Sequence, residues 1–167
     1  MQFGIGVFED VEALLRASDV EAPMSLINPY SFDPPIAPHV AAALEGVKID
    51  MEVIARACDE LTRLADVVIV EGAGGVLVPI NDNEKMIDLM VMLNLPVIVA
   101  ARTALGTINH TLLTLQALRT QGLDVAKVVM VGDANPDNKE AIQDYGDVEV
   151  DELAWIRPLT PEGVRAH

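Results

Sequence analysis

The chain has 167 residues, a length that suits one domain spanning residues 1–167, and it carries a formal net charge of −15 with 51% apolar residues. The acidity disfavours binding to nucleic acids and anionic lipids, because no basic run or interleaved set of aromatic residues offsets it. No stretch is apolar enough for a membrane span and the first residues lack the layout of a signal peptide, so we expect a cytoplasmic protein.

The first 64 residues predict three helices and a proline-rich loop. A short helix is expected over residues 8–16, where the acidic pair Glu9 and Asp10 lies at a helix start that favours negative charge. Prolines exclude regular structure from residues 18–38, and a helix follows over residues 37–45. Asp50 is the predicted N-cap of a third helix over residues 51–64. Cys58 lies in that helix without a Cys or His at ligand spacing, which indicates a packing role.

The remainder of the chain alternates apolar runs with helical patterns. The runs, rich in β-branched residues, predict strands at residues 67–70, 96–100 and 128–131. Helices are expected over residues 84–93 and 108–121, the second closed by Gly122, and a weaker helix over residues 135–145 precedes a final strand at residues 148–150. This alternation is typical of an α/β protein with a mainly parallel sheet and helices on both faces.

Ligands of such sheets bind beyond the carboxyl ends of the strands, which directs attention to residues 71–79, 101–109 and 132–138. Glu71 ends the first predicted strand and a glycine-rich turn containing Gly74 follows it. A carboxylate in this place can hold Mg²⁺, and the glycines let a ligand approach the backbone closely. The turn has an equally good second interpretation, an ordinary glycine-rich turn with a solvated glutamate.

A second candidate site lies where a helix opens after the second predicted strand. The residues concerned are Gly106, Thr107, Ile108 and Asn109, with Thr107 as the expected N-cap. Free N–H groups and the helix dipole at such a start attract a carboxylate or a phosphate, although an ordinary capped helix is the simpler local interpretation. His110, one turn into the helix, suits packing better than ligand contact. In the proline-rich loop, the aromatic residues Tyr30 and Phe32 are candidates to wall a pocket.

Three segments taken in order, NPYSFDPPIAPHVAA, VVIVEGAGGVLVPIND and LPVIVAARTALGTINHTLLTLQAL, resemble dethiobiotin synthetase over roughly residues 9–131. The resemblance implies a P-loop NTPase-like fold, a homodimer, and the ATP- and Mg²⁺-dependent carboxylation and ring closure of 7,8-diaminopelargonate. It also implies roles for individual residues. Asp10 and Glu71 would be Mg²⁺ ligands, and Gly74 would meet the diamine. The set Gly106, Thr107, Ile108 and Asn109 would hold the substrate carboxylate across the dimer interface.

Two departures from the family pattern shape the expected function. The family begins with a strand, a phosphate-binding loop ending in Gly-Lys-Thr, a helix and a strand with a catalytic lysine, and the present sequence starts after these elements. Gly132 stands where the family has an adenine-reading asparagine, so position 132 has no side chain for the nucleotide. We therefore expect a P-loop-less relative that acts as a binding or partner subunit, in a homodimer or a heterodimer with a related synthetase. The alternatives are an active synthetase whose P-loop segment is missing from this chain and an unrelated small-molecule binder on the same fold.

Overall fold

The computed structural model describes Val11, Leu15, residues 21–33 and residues 36–156. The chain divides into two compact units, Met1–Leu93 and Asn94–His167. The single domain expected over residues 1–167 stays a prediction. Of the first predicted helix, Val11 and Leu15 are helical, and its other residues, including Asp10, lie outside the described ones.

The first unit contains four described helices: α1 (Met24–Ile27), α2 (Pro38–Leu44), α3 (Met51–Leu61) and α4 (Met86–Leu93). Helix α1 corrects the prediction that the proline-rich loop contains no regular structure. Its single turn fits between two prolines because Pro23 precedes the first helical residue, where no N–H is needed, and its carbonyl accepts from the Leu26 amide at 2.9 Å. Helix α3 ends at Leu61, three residues before the predicted end, since the backbone passes into a turn at Thr62.

Helix α3 begins and packs as its sequence predicts. The Asp50 carboxylate accepts from the Glu52 amide at 2.9 Å, which confirms Asp50 as the N-cap. One face of the helix is buried and includes Ile54 and Cys58. Burial raises the pKa of the Cys58 thiol, with the neighbouring Asp59 charge adding to the effect. Both observations fit a side chain that serves packing.

The core of the first unit joins the helices to the proline-rich loop. Its buried members are Phe32, Ala41, Ala42, Ile49, Met51, Ile54, Ile80, Met86 and Leu89. The Tyr30 and Phe32 rings stack with centroids 6.4 Å apart, and the Tyr30 hydroxyl accepts from the Asp50 amide at 3.1 Å. Because Phe32 is only 5% exposed, it belongs to this core and not to the wall of an open pocket.

The second unit is built on a three-stranded parallel sheet in the order β1 (Val97–Arg102), β2 (Val125–Val131), β3 (Val150–Leu153). Val99 pairs with Val128, and Val128 with Val150. The predicted mainly parallel α/β architecture is thereby confirmed. Strand β2 begins three residues earlier than its apolar run, because Val125 and the following residues continue the ladder.

Residues 67–70, predicted as a strand, are not part of any strand in the described sheet. Val67 and Ile69 are each 77% exposed, so their side chains are not buried as those of a central strand would be. The prediction that residues 67–70 form a strand of the parallel sheet is therefore wrong for the described sheet.

Two helices of the second unit, α5 (Thr107–Thr120) and α6 (Pro136–Gly146), pack on one face of the sheet. Leu115 of α5 and Ile142 of α6 share a core with Val128 and Met130. Within this unit both described helices therefore cover the same face of the sheet. On the opposite face Lys127 pairs with two carboxylates. Across the described ranges, no helix is long and apolar enough to cross a membrane.

Candidate functional site

The carboxyl ends of the three strands meet at one edge of the sheet. Arg102 pairs with Val131, and Val131 pairs with Leu153. The Gly132 amide then donates to the Leu153 carbonyl at 3.0 Å. Two short connections leave this edge side by side, residues 103–106 into α5 and residues 132–135 into α6. This is the place where ligands of parallel sheets bind.

Helix α5 begins without a side-chain cap. Gly106 occupies the N-cap position with φ of +93°, and no side chain bonds to the first turn. Thr107, the predicted N-cap, is instead the first helical residue and is buried, with 6% of its surface exposed. The reason is a tight turn in which the Thr107 amide donates to the Ala104 carbonyl at 3.2 Å. A left-handed residue is needed at the end of that turn, and glycine adopts this conformation without a steric penalty.

The start of α5 leaves two backbone donors available. The His110 amide donates to the Gly106 carbonyl at 3.1 Å, whereas the amides of Ile108 and Asn109 have no acceptor among the described residues. Gly106 and Asn109 are exposed. Free amides at the positive end of a 14-residue helix form a site suited to a carboxylate or phosphate. That Gly106, Thr107, Ile108 and Asn109 hold a carboxylate stays a prediction.

Helix α6 begins in the opposite way, with its first turn closed. The Asn135 side-chain oxygen accepts from the Asn138 amide at 3.1 Å, and Pro136 follows the cap. Both asparagine side chains also donate to the Thr103 carbonyl, Asn135 at 3.1 Å and Asn138 at 3.0 Å. The Asn135 amide donates to a Glu152 carboxylate oxygen at 2.9 Å. The sequence analysis selected residues 101–109 and 132–138 as places where a ligand could bind, but it assigned no role to Asn135 or Asn138 and did not include Glu152, although the Asn-Pro-Asp-Asn run after a strand signals a helix start.

Gly132 lies against Thr103 of the connection that leads into α5. It is buried with φ of +139°, and a Cβ atom at this position would lie 2.7 Å from the Thr103 hydroxyl oxygen. No side chain fits there without moving Thr103. Its assignment to nucleotide binding stays a prediction, and the close approach of Thr103 is a sufficient structural reason for glycine.

The other predicted site residues lie in the first unit. Glu71 is exposed, and Gly74 follows it in a turn with φ of +80°, a Cβ position 3.1 Å from a Val78 methyl group. Mg²⁺ in proteins is commonly held by one or two carboxylates and water, so the exposed Glu71 carboxylate fits one such ligand. In the part of the chain that the structure describes, no cluster of three His, Cys, Asp or Glu side chains could hold a metal ion. The second predicted ligand, Asp10, lies outside that part.

The second unit's parallel sheet, with an uncapped helix start at its carboxyl edge, is typical of α/β nucleotide-binding proteins. In agreement, a family model described as an AAA domain matches residues 1–162. A solved structure of the MinC:MinD cell division protein complex from Aquifex aeolicus is similar with a TM-score of 0.57, over 97% of this chain and 72% of that one. At 14% sequence identity this likeness shows the fold alone. The class is therefore an α/β protein of the AAA domain family.

Comparison with individual relatives narrows this class. An ATP-dependent dethiobiotin synthetase from Nitrosospira multiformis is 49% identical over 72% of this chain and 54% of its own length. Those from Paramagnetospirillum magneticum and Nitrobacter hamburgensis are 43% and 36% identical, over 91% and 99% of this chain and 68% and 76% of their own lengths. The chain belongs to the dethiobiotin synthetase family. It spans about half of the first relative, about two thirds of the second and about three quarters of the third.

Proposed function

We propose that this chain provides the substrate-carboxylate site of a dethiobiotin synthetase reaction, the ATP- and Mg²⁺-dependent carboxylation and ring closure of 7,8-diaminopelargonate. The observation that carries the proposal is the uncapped start of α5, where the Ile108 and Asn109 amides lack an acceptor among the described residues. The names of the relatives, ATP-dependent dethiobiotin synthetases, supply the reaction.

The helix start suits the acid end of this substrate. A carboxylate accepts several hydrogen bonds at once and carries the negative charge that the amino end of a helix attracts. Position 106 leaves room for it, because a Cβ atom added to Gly106 would have as its nearest neighbour a ring carbon of His110 at 3.8 Å. Leu105 is fully exposed beside it, so the apolar chain between the carboxylate and the two amines has a surface to contact.

ATP and Mg²⁺ would act at other residues of the chain. Glu71 and Asp10 are the proposed Mg²⁺ ligands, and Gly74 would place backbone next to the diamine. The 167 residues contain no Gly-Lys-Thr or Gly-Lys-Ser sequence, so the phosphate-binding loop of the reaction must come from elsewhere. Two sources are chemically equivalent: a related synthetase subunit, or preceding residues of the same protein.

We favour the first source, in which the chain is a binding or partner subunit with little ATPase activity of its own. Its support is Gly132, which offers the adenine base no side-chain donor or acceptor. In this form the chain pairs with a related synthetase, in the cytoplasm, and its α5 start serves the partner's site, whereas a pair of identical copies suits the alternative. The alternative is an active dethiobiotin synthetase in which these residues are joined to a P-loop segment.

Calorimetric titration of the chain with 7,8-diaminopelargonate tests the carboxylate site. Gly106→Asp puts a competing charge beside the Ile108 and Asn109 amides, so we expect binding to weaken about tenfold or more. Gly106→Ala is the matched control, since it carries the same backbone strain without a charge and should bind more tightly than the aspartate variant. Equal binding by the two variants would contradict carboxylate capture at this helix start.

Two further measurements separate the partner subunit from the active enzyme. In calorimetry with ATP and Mg²⁺ we expect no binding in the low micromolar range, and such binding would contradict the partner-subunit form. In the second, the chain is mixed with a complete synthetase made inactive at its own copy of the α5 start. The wild-type chain should restore ring closure and Gly106→Asp should not. Equal rescue by both chains, or none despite a demonstrated heterodimer, would overturn donation of the site to a partner.

A further inference from the structure

The connection that leads into α5 makes little contact of its own. Ala104, Leu105 and Gly106 are all exposed, and Leu105 has no burial at all. Within the connection the main restraint is the turn in which the Thr107 amide bonds to the Ala104 carbonyl. A short exposed segment of this kind needs an external anchor if the amides beyond it are to keep one orientation.

Thr103 provides that anchor through its backbone carbonyl. This oxygen accepts from the Asn135 side-chain amide at 3.1 Å and from the Asn138 side-chain amide at 3.0 Å, which occupies both of its lone pairs. On its other side Thr103 packs against Gly132, whose missing Cβ permits the approach. The α5 connection is thus held at one residue by the start of α6.

The two asparagines are themselves fixed. The Asn135 side-chain oxygen accepts from the Asn138 amide, and the Asn135 amide donates to the Glu152 carboxylate on β3. Glu152 also lies 4.0 Å from the Lys139 ammonium group. A chain of hydrogen bonds therefore runs from β3 through the first turn of α6 to Thr103.

We propose that Asn138, together with Asn135, is a positioning residue pair that fixes the anion-binding start of α5 through the Thr103 carbonyl, an inference that rests on the proposed function of that helix start. Neither asparagine needs to touch the substrate. Their role is to hold Thr103, from which the tight turn at residues 104–107 sets the direction of the Ile108 and Asn109 amides. Preorganised donors bind a carboxylate more tightly because they lose less freedom on binding.

Asn138 is the better residue for a test, because its side chain bonds to Thr103 and takes no part in capping α6. Asn138→Asp keeps the size of the side chain but turns its donor into an acceptor that repels the carbonyl. The added charge in the first turn of α6 is favourable for that helix. Asp137→Asn is the matched control for charge in the same turn, and Asn138→Gln tests rescue by a second amide.

The first readout is backbone amide exchange followed by NMR, which needs no ligand. In Asn138→Asp we expect exchange of the Thr107 and His110 amides, which close the turn and the first helical bond, to accelerate several-fold. The Ile142 amide in α6 should be unchanged. Asp137→Asn should exchange as the wild type does. Unchanged exchange at Thr107 and His110 in Asn138→Asp would overturn the inference, whatever the ligand of α5 is.

The second readout is calorimetric titration with 7,8-diaminopelargonate. Asn138→Asp should bind about three- to tenfold more weakly, the loss expected for one hydrogen bond, and Asn138→Gln should recover part of it. If the wild-type chain does not bind this compound, the proposed function fails and the exchange measurement still decides the positioning role. If Asn138→Asp exchanges faster but binds the compound as the wild type does, the anchoring of Thr103 does not affect binding at the α5 start. This result would also overturn the inference.

Discussion

The helices α5 and α6 both begin just beyond the carboxyl end of a parallel strand, yet their first turns differ. Asn135 closes the start of α6 with its side chain, and Pro136 removes one further donor. Gly106 opens α5 and leaves the Ile108 and Asn109 amides without an acceptor among the described residues. Unsatisfied donors are unfavourable unless water or a ligand takes them. The α6 start is thus closed by its own residues, and the α5 start keeps two free donors for the carboxylate site proposed there.

The largest expected effect concerns the contact between the two connections. Gly132→Ala forces a side chain into left-handed backbone and against the Thr103 hydroxyl, so we expect the free energy of unfolding to fall by about 3–5 kcal/mol. Urea denaturation measures the loss. Gly122→Ala is the control, because Gly122 also has positive φ but no atom within 4 Å, and should lose about 1–2 kcal/mol.

A second substitution sharpens this result. Thr103→Ala in the Gly132→Ala background removes the side-chain atoms that the new methyl group would meet, and should restore part of the lost stability. Equal losses of stability in Gly132→Ala and Gly122→Ala would mean that backbone conformation alone accounts for both. The close packing of the two connections would then contribute nothing to stability.

The next effect is the loss of the α6 cap. Asn135→Ala removes the acceptor for the Asn138 amide and one donor to Thr103, and should cost about 1–3 kcal/mol in the free energy of unfolding. Asn135→Ser keeps a capping oxygen but cannot reach Thr103, so its loss should be smaller. Equal losses for Ala and Ser would mean that the cap contributes nothing and that the contrast between the two helix starts has no energetic basis.

Much of the fold could be predicted from the sequence because it depends on local patterns. The apolar runs that became β1 and β2 lie in a parallel sheet, and Asp50 caps α3 as an aspartate before an amphipathic run should. The run at residues 67–70 has the same composition but is not in the described sheet. Pairing depends on which segments lie alongside, and that information is not contained in the run itself.

The candidate site was predictable in its location and not in its detail. The rule that ligands bind beyond parallel strands selected the α5 start, and glycine there suggested open backbone. The shift of the cap from Thr107 to Gly106 depends on the turn at Ala104, which spacing does not reveal. The anchoring of Thr103 by Asn135 and Asn138 joins residues more than 30 positions apart, so no local pattern indicates it.

A smaller effect is expected when α5 receives a cap. Gly106→Asn should change the free energy of unfolding by no more than about 1 kcal/mol, because the strain of left-handed backbone is partly offset by a side chain that can accept from the free amides. Thermal unfolding measures this. The same variant should bind 7,8-diaminopelargonate more weakly than Gly106→Ala, since its side chain competes for the amides. A large loss of stability would mean that the open start is needed for folding.

The smallest effect lies away from both helix starts, on the opposite face of the sheet, where Lys127 bonds to Asp151 at 2.6 Å and to Glu149 at 3.2 Å. The hydrogen bond from Lys127, with its charge, lowers the pKa of Asp151, and the bonds to Asp151 and Glu149 raise the pKa of Lys127. A carboxyl group whose pKa is lower in the folded state stabilises the fold at pH values above its pKa in the unfolded chain. This stabilisation disappears as pH falls through the pKa of the folded state. A lysine whose pKa is higher in the folded state stabilises the fold at pH values below its pKa in the unfolded chain. This stabilisation is lost as pH rises through the pKa of the folded state.

The ion pairs of Lys127 with Asp151 and Glu149 therefore stabilise the fold between the pH at which Asp151 becomes protonated and the pH at which Lys127 loses its proton. We expect Lys127→Met to unfold at slightly lower urea concentration than the wild type from about pH 5 to pH 9, with the difference shrinking as pH falls through about pH 4 to 2. The groups are exposed, so the effect should also weaken in salt. Lys139→Met is the comparison, because the nearest described carboxylate oxygen to its ammonium group, on Glu152, is 4.0 Å away and its charge is the smallest influence that lowers the pKa of Asp151, so its pH-dependent difference should be smaller. A difference that does not change with pH would mean that Lys127 acts by packing along β2 and not through its charge.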